Sequence, residues 1–123
     1  MRIERADPHV DKGWLAGRWN SELEFSIGYA NTGINDPHVP AKVTEIYLVA
    51  RGTAEMRVER QTIVLRPGDM LVVHPGEAHT FIASSPDYFH FVLQTPGAPA
   101  TRLPSHPTDL AFEGQGSLRS LTR

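Results

Sequence analysis

Hydrophobic and polar residues alternate with a period of two through much of this chain. Residues 23–30 alternate large apolar side chains with small or polar ones, and residues 54–59 alternate Ala, Met and Val with charged residues. A period of two is typical of a strand with one buried face. Shorter apolar runs predict further strands at 45–50, 62–65, 70–73, 79–83 and 88–94. Because turn residues separate these runs every ten residues or so, the pattern predicts an all-β sandwich or barrel.

The two ends of the chain depart from this alternation. Residues 11–20 contain Trp14 and Trp19, and we expect them to form a short helical turn or an irregular segment that covers one end of the barrel. From Thr95 onward, recurring prolines and glycines break regular structure. We therefore divide the chain into an N-terminal cover segment at 1–21, a β-barrel at 22–95 and a Pro/Gly-rich C-terminal tail at 96–123.

Composition narrows the possible partners and the possible chemistry. A chain of 123 residues, 40% of them hydrophobic, corresponds to one domain. A formal net charge of −2 provides no basic surface, so we expect neither nucleic acid nor an anionic membrane as a partner. The absence of cysteine excludes disulfides, thiol catalysis and cysteine-ligated zinc. We see no signal peptide and no window of ~18 apolar residues that could cross a bilayer, so we expect a soluble cytoplasmic protein.

Two groups of spaced residues carry the candidate chemistry. The first group is Gly33, His38, Glu45 and Gly52, with six residues between the last two. The second group is Gly68, Gly76 and His79. In the second group, a turn precedes a short strand, a second turn follows it, and the histidine opens the next strand. Such a run fixes one imidazole at the mouth of a β-structure, while the first group can supply another imidazole and a carboxylate.

This arrangement resembles the two-part motif of small single-domain cupins, the RmlC-like jelly-roll proteins. The likeness covers roughly residues 22–95. The first part of the cupin pattern has two histidines one residue apart; here His38 corresponds to the first of them, and Pro40 stands in place of the second. The resemblance implies an all-β, single-domain jelly-roll barrel in which His38, Glu45 and His79 converge inside the mouth.

The implied ligand set of two imidazoles and one carboxylate is that of a facial triad, which leaves coordination positions open on the ion. The expected cofactor is therefore a divalent metal ion, either Fe, Mn, Ni or Zn. His74 is a further candidate ligand that could replace the missing histidine. Tyr47 should share a strand face with Glu45, which makes it a candidate catalytic residue as a hydrogen-bond donor or proton carrier; its alternative role is packing.

Each candidate ligand also has a purely structural interpretation. His38 could be an exposed loop residue, and His79 could be a hydrogen-bonded histidine at the rim. Glu45 opens an apolar strand, where an unpaired carboxylate would be costly. If Glu45 binds no metal, it therefore needs a partner, for example a base such as Lys42 or Arg51.

The cavity of such a barrel would be largely apolar. His90, between two phenylalanines on a late strand, could face either the cavity or the solvent. If they point inward, several large side chains would suit a small organic ligand with a few polar anchors. These side chains are Trp19, Phe25, Met56, Phe81 and Phe91.

These observations support two functional hypotheses. The first is a metal-dependent enzyme that acts on a small organic substrate by oxygenase, isomerase or lyase chemistry. The second is a non-catalytic, metal-free cupin that binds a sugar or another small metabolite. Small cupins commonly pair, so the resemblance also implies a homodimer, and Trp14, Trp19 and the N-terminal strand are candidate contacts.

Overall fold

The computed structural model of the protein describes residues 1–33 and 41–98. These residues form eight strands and no helix, so none of them belongs to a helix that could span a membrane. The strands are β1 (Lys12–Ala16), β2 (Ser26–Ala30), β3 (Thr44–Arg51), β4 (Ala54–Val58), β5 (Gln61–Leu65), β6 (Met70–Val73), β7 (His79–Ser84) and β8 (Phe89–Thr95). They pair into a five-stranded antiparallel sheet of order β1-β2-β8-β3-β6 and a three-stranded antiparallel sheet of order β5-β4-β7. The predicted all-β jelly-roll fold is confirmed.

Glycines with positive φ form the two tight turns within the second group of spaced residues, Gly68, Gly76 and His79. Gly68 has φ of 92°, and the Asp69 N–H donates to the Arg66 carbonyl at 3.0 Å, as a type II turn requires. Gly76 has φ of 88° in the next turn along the chain. Because an L side chain is strained in this region of φ, glycine lets the chain reverse on either side of β6.

Residues 12–16 form a strand, so the expectation of a helical turn or irregular segment over 11–20 is wrong for this stretch. β1 pairs with β2, and its register shifts between Trp14 and Ala16. The backbone groups of β1 therefore form hydrogen bonds with β2, which would otherwise be an edge strand of the larger sheet. A chain reversal follows, in which the Asn20 side chain accepts from the Gly17 N–H at 3.0 Å.

Two apolar clusters cover opposite faces of the five-stranded sheet. The inner cluster fills the space between the two sheets. Its fully or almost fully buried members are Trp14, Tyr47, Val49, Ala54, Met56, Leu65, Val73, Phe81, Tyr88 and Val92. On the outer face, Leu15, Tyr29 and Phe89 form a second cluster that includes Ala6 and Val10 of the N-terminal segment.

The outer cluster corrects one expectation about the cavity. Phe91 packs against this outer cluster, not in the interior, whereas Met56 and Phe81 lie inside and Trp19 packs against the inner cluster. Phe91 takes the outer face because His90 and Val92, its neighbours on β8, are buried on the inner one. Alternation alone could not show which face of β8 is the interior, since both faces are covered.

The strand register places the candidate site residues in one layer of the interior. In the larger sheet, β3 lies between β6 and β8, so Glu45 is flanked by Val73 on one side and Gln94 on the other. In the smaller sheet, His79 opens β7 opposite Val58 of β4. Glu45 and His79 therefore approach each other from different sheets.

Candidate functional site: a buried carboxylate–imidazole cluster

Three of the predicted site residues come together inside the barrel. Glu45 and Tyr47 are two residues apart on β3 and point to the same inner face. His79 reaches them from β7, of which it is the first residue after the preceding turn. Glu45 and Tyr47 are fully buried, and His79 is only 2% exposed. The cluster is therefore shielded from water, where electrostatic interactions are strong.

The carboxylate of Glu45 is the centre of this cluster. Its Oε1 lies 2.7 Å from Nε2 of His79 and accepts a hydrogen bond from the Tyr47 hydroxyl at 3.3 Å. The same hydroxyl lies 3.2 Å from Nε2 of His79. The other oxygen of Glu45, Oε2, accepts from the side-chain amide of Gln94 at 2.9 Å. Both carboxylate oxygens therefore have partners, as a buried carboxylate requires.

The surroundings of His79 favour the protonated form of its imidazole. Burial alone would lower the pKa of His79, but the hydrogen bond and the negative charge of Glu45 raise it, helped by the backbone carbonyl of Glu77, and the net result is a pKa above 6.5. The ring nitrogen Nδ1 lies 3.2 Å from that carbonyl. A protonated ring can donate from Nδ1 to Glu77 and from Nε2 to Glu45. The Glu45–His79 pair is then an ion pair whose charges sum to zero.

The remaining predicted ligands do not join this cluster among the described residues. His74 is exposed in the turn before β7, where its backbone N–H donates to the Glu77 carboxylate at 2.7 Å. His38 lies outside the described residues. The alternative partner Arg51 donates to the Asp87 carbonyl at 2.9 Å, so the base beside Glu45 is a histidine and not this arginine.

Sequence reasoning missed Gln94 and left His90 undecided. Both are buried at 2% exposure on β8, two residues to either side of the fully buried Val92. Polar residues that alternate with a core valine on a strand are the signal that could have placed them on the inner face. The Tyr88 hydroxyl lies 2.8 Å from Nδ1 of His90, within hydrogen-bonding distance, which adds a second polar pair to the interior.

A two-sheet jelly roll with an inward-facing carboxylate and imidazole defines a cupin-type domain. The family model described as "AraC-like ligand binding domain" matches residues 25–119, which is more than half of the chain. The chain belongs to this family of ligand-binding domains. None of the curated proteins matches it in sequence.

Solved structures of similar fold agree with this assignment. KdgF from Halomonas sp. is 20% identical, with a TM-score of 0.61 over 80% of this chain and 89% of that one. An RmlC-like cupin family protein from Methanocaldococcus jannaschii is 16% identical, with a TM-score of 0.60 over 78% and 91%. The EutQ protein of Clostridium difficile is 17% identical, with a TM-score of 0.55 over 72% and 68%. At such low identity these similarities establish the fold alone.

The cupin fold also raises the question of a resident metal ion. Within residues 1–33 and 41–98, no group of three His, Cys, Asp or Glu side chains is arranged to hold one. Glu45 and His79 bond to each other, and a protonated His79 has no lone pair on Nε2 to give to a metal. The described residues therefore do not by themselves fit a metal ion; Glu45 and His79 are the two predicted ligands that lie close together among them.

Proposed function

We propose that this domain binds a small, uncharged organic molecule rich in hydroxyl groups inside the barrel, at the cluster of Glu45, Tyr47 and His79. The observation that carries the proposal is the buried ion pair, with Oε1 and Nε2 only 2.7 Å apart. A buried ion pair contributes little net stability compared with well-packed apolar side chains. Perturbed titratable groups inside a barrel are instead typical of sites that bind a ligand. Membership of a ligand-binding family supports the same conclusion.

The chemistry of the cluster favours an uncharged ligand. Glu45 and His79 already neutralise each other, so a charged ligand would bring an uncompensated charge into the interior. The cluster offers an acceptor in the carboxylate and donors in the imidazolium and the phenol. A hydroxyl group can donate to the first and accept from the others. Buried Met56 and Phe81 provide apolar surface beside these polar anchors, which suits the C–H faces of a sugar or a sugar alcohol.

Calorimetric titration with a panel of pentoses, hexoses and sugar alcohols tests the proposal. We expect saturable binding of at least one compound, and Glu45→Gln should weaken it about tenfold or more because a charged hydrogen bond is lost. Glu55→Gln is the matched control, since Glu55 lies exposed on β4. Binding of no compound in the panel, or equal affinity in the Glu45 variant and the wild type, would contradict the proposal.

A metal-dependent enzyme acting on a small organic substrate is the second candidate. It is favoured by the approach of Oε1 of Glu45 and Nε2 of His79 from two different sheets, because two donors this close could bind one ion once His79 loses its proton. Tyr47, 3.2 Å from Nε2, would then be placed as a proton carrier. Equilibrium dialysis against Fe(II), Mn(II), Ni(II) and Zn(II) followed by elemental analysis separates the candidates. Stoichiometric metal that is lost in His79→Ala would favour the enzyme over the metal-free binding domain.

We further propose that the protein pairs as a homodimer through the outer face of the five-stranded sheet. Leu48 and Met70 are opposite each other on β3 and β6 and are 37% and 63% exposed. Two residues away on β3, Ile46 lies opposite Val72 of β6 and Leu93 of β8, and all three are partly exposed. These side chains form a continuous apolar surface of the kind that partners cover. Because the Trp14 side chain is fully buried, we place the contact on this sheet face and not at Trp14.

Light scattering coupled to size exclusion tests this pairing. Leu48→Asp should convert a dimer into a monomer, because a carboxylate cannot be buried in an apolar interface without a partner. Ile82→Asp is the matched control, since Ile82 is 40% exposed but lies on the smaller sheet. A monomeric wild type, or a Leu48 variant that stays dimeric, would contradict the proposed surface.

A further inference from the structure

The interior contains a second histidine whose polar ring is incompletely paired. His90 on β8 is 2% exposed, and its Nδ1 lies 2.8 Å from the Tyr88 hydroxyl, within hydrogen-bonding distance. Its Nε2 is fully buried and has no hydrogen-bond partner among the described residues. Buried polar atoms in folded proteins almost always have a partner, so this nitrogen calls for an explanation.

The contact with Tyr88 links the hydrogen of the phenol to the tautomer of His90. Burial raises the pKa of the Tyr88 phenol well above 10.0, so the phenol stays neutral and can donate its hydrogen to Nδ1. Burial, together with the positive charge of Lys12, lowers the pKa of His90 to about 3, so the ring is neutral at physiological pH. A neutral ring that accepts at Nδ1 carries its single hydrogen on Nε2. With Tyr88 as the donor, the incompletely paired atom Nε2 is an N–H group.

The position of His90 connects it to the cluster around Glu45. The ring of Tyr47 lies 5.0 Å from the ring of His90 and 6.0 Å from that of His79, measured between centroids. Phe81 stacks on His90 at 5.4 Å with an interplanar angle of 13°. His90 thus lies in the same interior, on the other side of Tyr47 from the ion pair. The two rings that flank it fix its orientation.

We propose that Nε2–H of His90 is a second anchor for the bound ligand, donating a hydrogen bond to a hydroxyl or carbonyl oxygen at the end of the molecule remote from Glu45. This inference rests on the proposed function, since it assigns a further contact to the same ligand. It also explains why an unpaired donor is kept inside the protein: the ligand supplies the missing acceptor. Tyr88 acts as a positioning residue, because it holds the tautomer that makes Nε2 the donor.

The variant His90→Phe separates a ligand anchor from a packing residue. Phenylalanine fills a similar volume between Phe81 and Tyr47 but has no polar atom to leave unpaired. For the melting temperature, Tyr88→Phe is combined with His90→Phe, because the buried Tyr88 hydroxyl would otherwise lose its partner. The ligand-free double variant should melt a few degrees above the wild type, since no buried donor is left without an acceptor. His90→Phe alone should bind the tightest compound of the sugar panel about tenfold more weakly. A merely structural role would move stability and affinity in the same direction.

Nuclear magnetic resonance of the full chain labelled with ¹⁵N-histidine provides an independent readout. The free protein should show His90 as the Nε2–H tautomer, and saturation with the same sugar should shift the Nε2 resonance. His9→Phe is the control variant for both measurements, because His9 is exposed at the N-terminus.

The outcomes distinguish this inference from the proposed function. If no sugar binds the wild type, both are overturned. If a sugar binds and Glu45→Gln weakens it, but His90→Phe does not and the Nε2 resonance does not move, only the assignment of His90 is overturned. If His90→Phe does not fold, the Nε2 resonance of the wild type decides: a shift on sugar addition supports the anchor, and an unmoved resonance overturns it.

Discussion

Glu45→Gln should change both the stability of the protein and the way that stability depends on pH. In the wild type, Oε1 of Glu45 faces Nε2 of His79 at 2.7 Å, and Oε2 receives the amide of Gln94 at 2.9 Å. The glutamine has the same shape and keeps one oxygen as an acceptor, but it has no charge. Where its NH2 group takes the place of Oε2, it faces the NH2 group of Gln94, so the side-chain amide of Gln94 has to rotate to present its oxygen. Removing one partner of a buried charge pair costs ~3–5 kcal/mol, and the retained acceptor recovers part of that. We expect a loss of about 2–3 kcal/mol at pH 6.

The pH dependence follows from the raised pKa of His79. A group whose pKa is higher in the folded protein than its ordinary value of 6.5 stabilises the fold fully below pH 6.5, and this contribution is lost as pH rises through the folded pKa. Wild-type stability should therefore fall between pH 6 and pH 9. In Glu45→Gln, the effect of burial dominates and lowers the pKa of His79, so stability should instead rise as pH increases toward about 6.5 and stay level above it. The difference in stability between the two proteins should therefore shrink as pH rises from 6 to 9.

Urea unfolding at half-unit intervals from pH 6 to pH 9 measures these free energies. Glu55→Gln, which removes an exposed carboxylate of β4, should follow the wild-type curve within ~0.5 kcal/mol. If Glu45→Gln and the wild type differ by the same amount at every pH, Glu45 and His79 do not form an ion pair in the folded protein, and the reasoning is refuted.

Two further substitutions test the network and the turns. Tyr47→Phe removes the hydroxyl within 3.3 Å of Glu45 and 3.2 Å of His79 but keeps the ring, so urea unfolding should show a loss of ~1 kcal/mol, and an unchanged midpoint would contradict the network. Gly52 and Gly68 both have positive φ. A Cβ at Gly52 would lie 2.6–2.8 Å from neighbouring atoms, whereas a Cβ at Gly68 would have no neighbouring atom within 4 Å. Gly68→Ala should therefore cost ~1 kcal/mol and Gly52→Ala ~2–4 kcal/mol, and equal costs would contradict the packing at Gly52.

The sequence predicted the fold because its turn residues and strand alternation agree. Gly68 and Gly76 take the backbone conformations that glycine allows best, and the strand between them forms as the pattern indicated. The pairing of Glu45 with His79 depended on the cupin resemblance, because the two residues lie on different sheets and no local pattern relates them. The charged partner of Glu45 could not be chosen from the sequence, since the choice depends on which strands face each other.

The features that were mispredicted share one physical cause. Strand β1 was missed because Gly13 and Ala16 weaken its alternation, and its stability comes from pairing with β2 rather than from propensity. Phe91 was a candidate cavity residue on the condition that it points inward, which it does not, because the N-terminal segment gives the outer face its own apolar cover. Both errors concern tertiary partners that lie far away along the chain. A single sequence contains little information about such partners.

A crystal structure of the full chain with the tightest compound of the sugar panel tests the central claim most directly. We predict that the compound lies between the two sheets, with one hydroxyl within hydrogen-bonding distance of the carboxylate of Glu45 and of His79. A compound seated outside the barrel, for example in the surface groove lined by Thr53, Val64 and Ser85, with the interior cluster unchanged, would contradict the account.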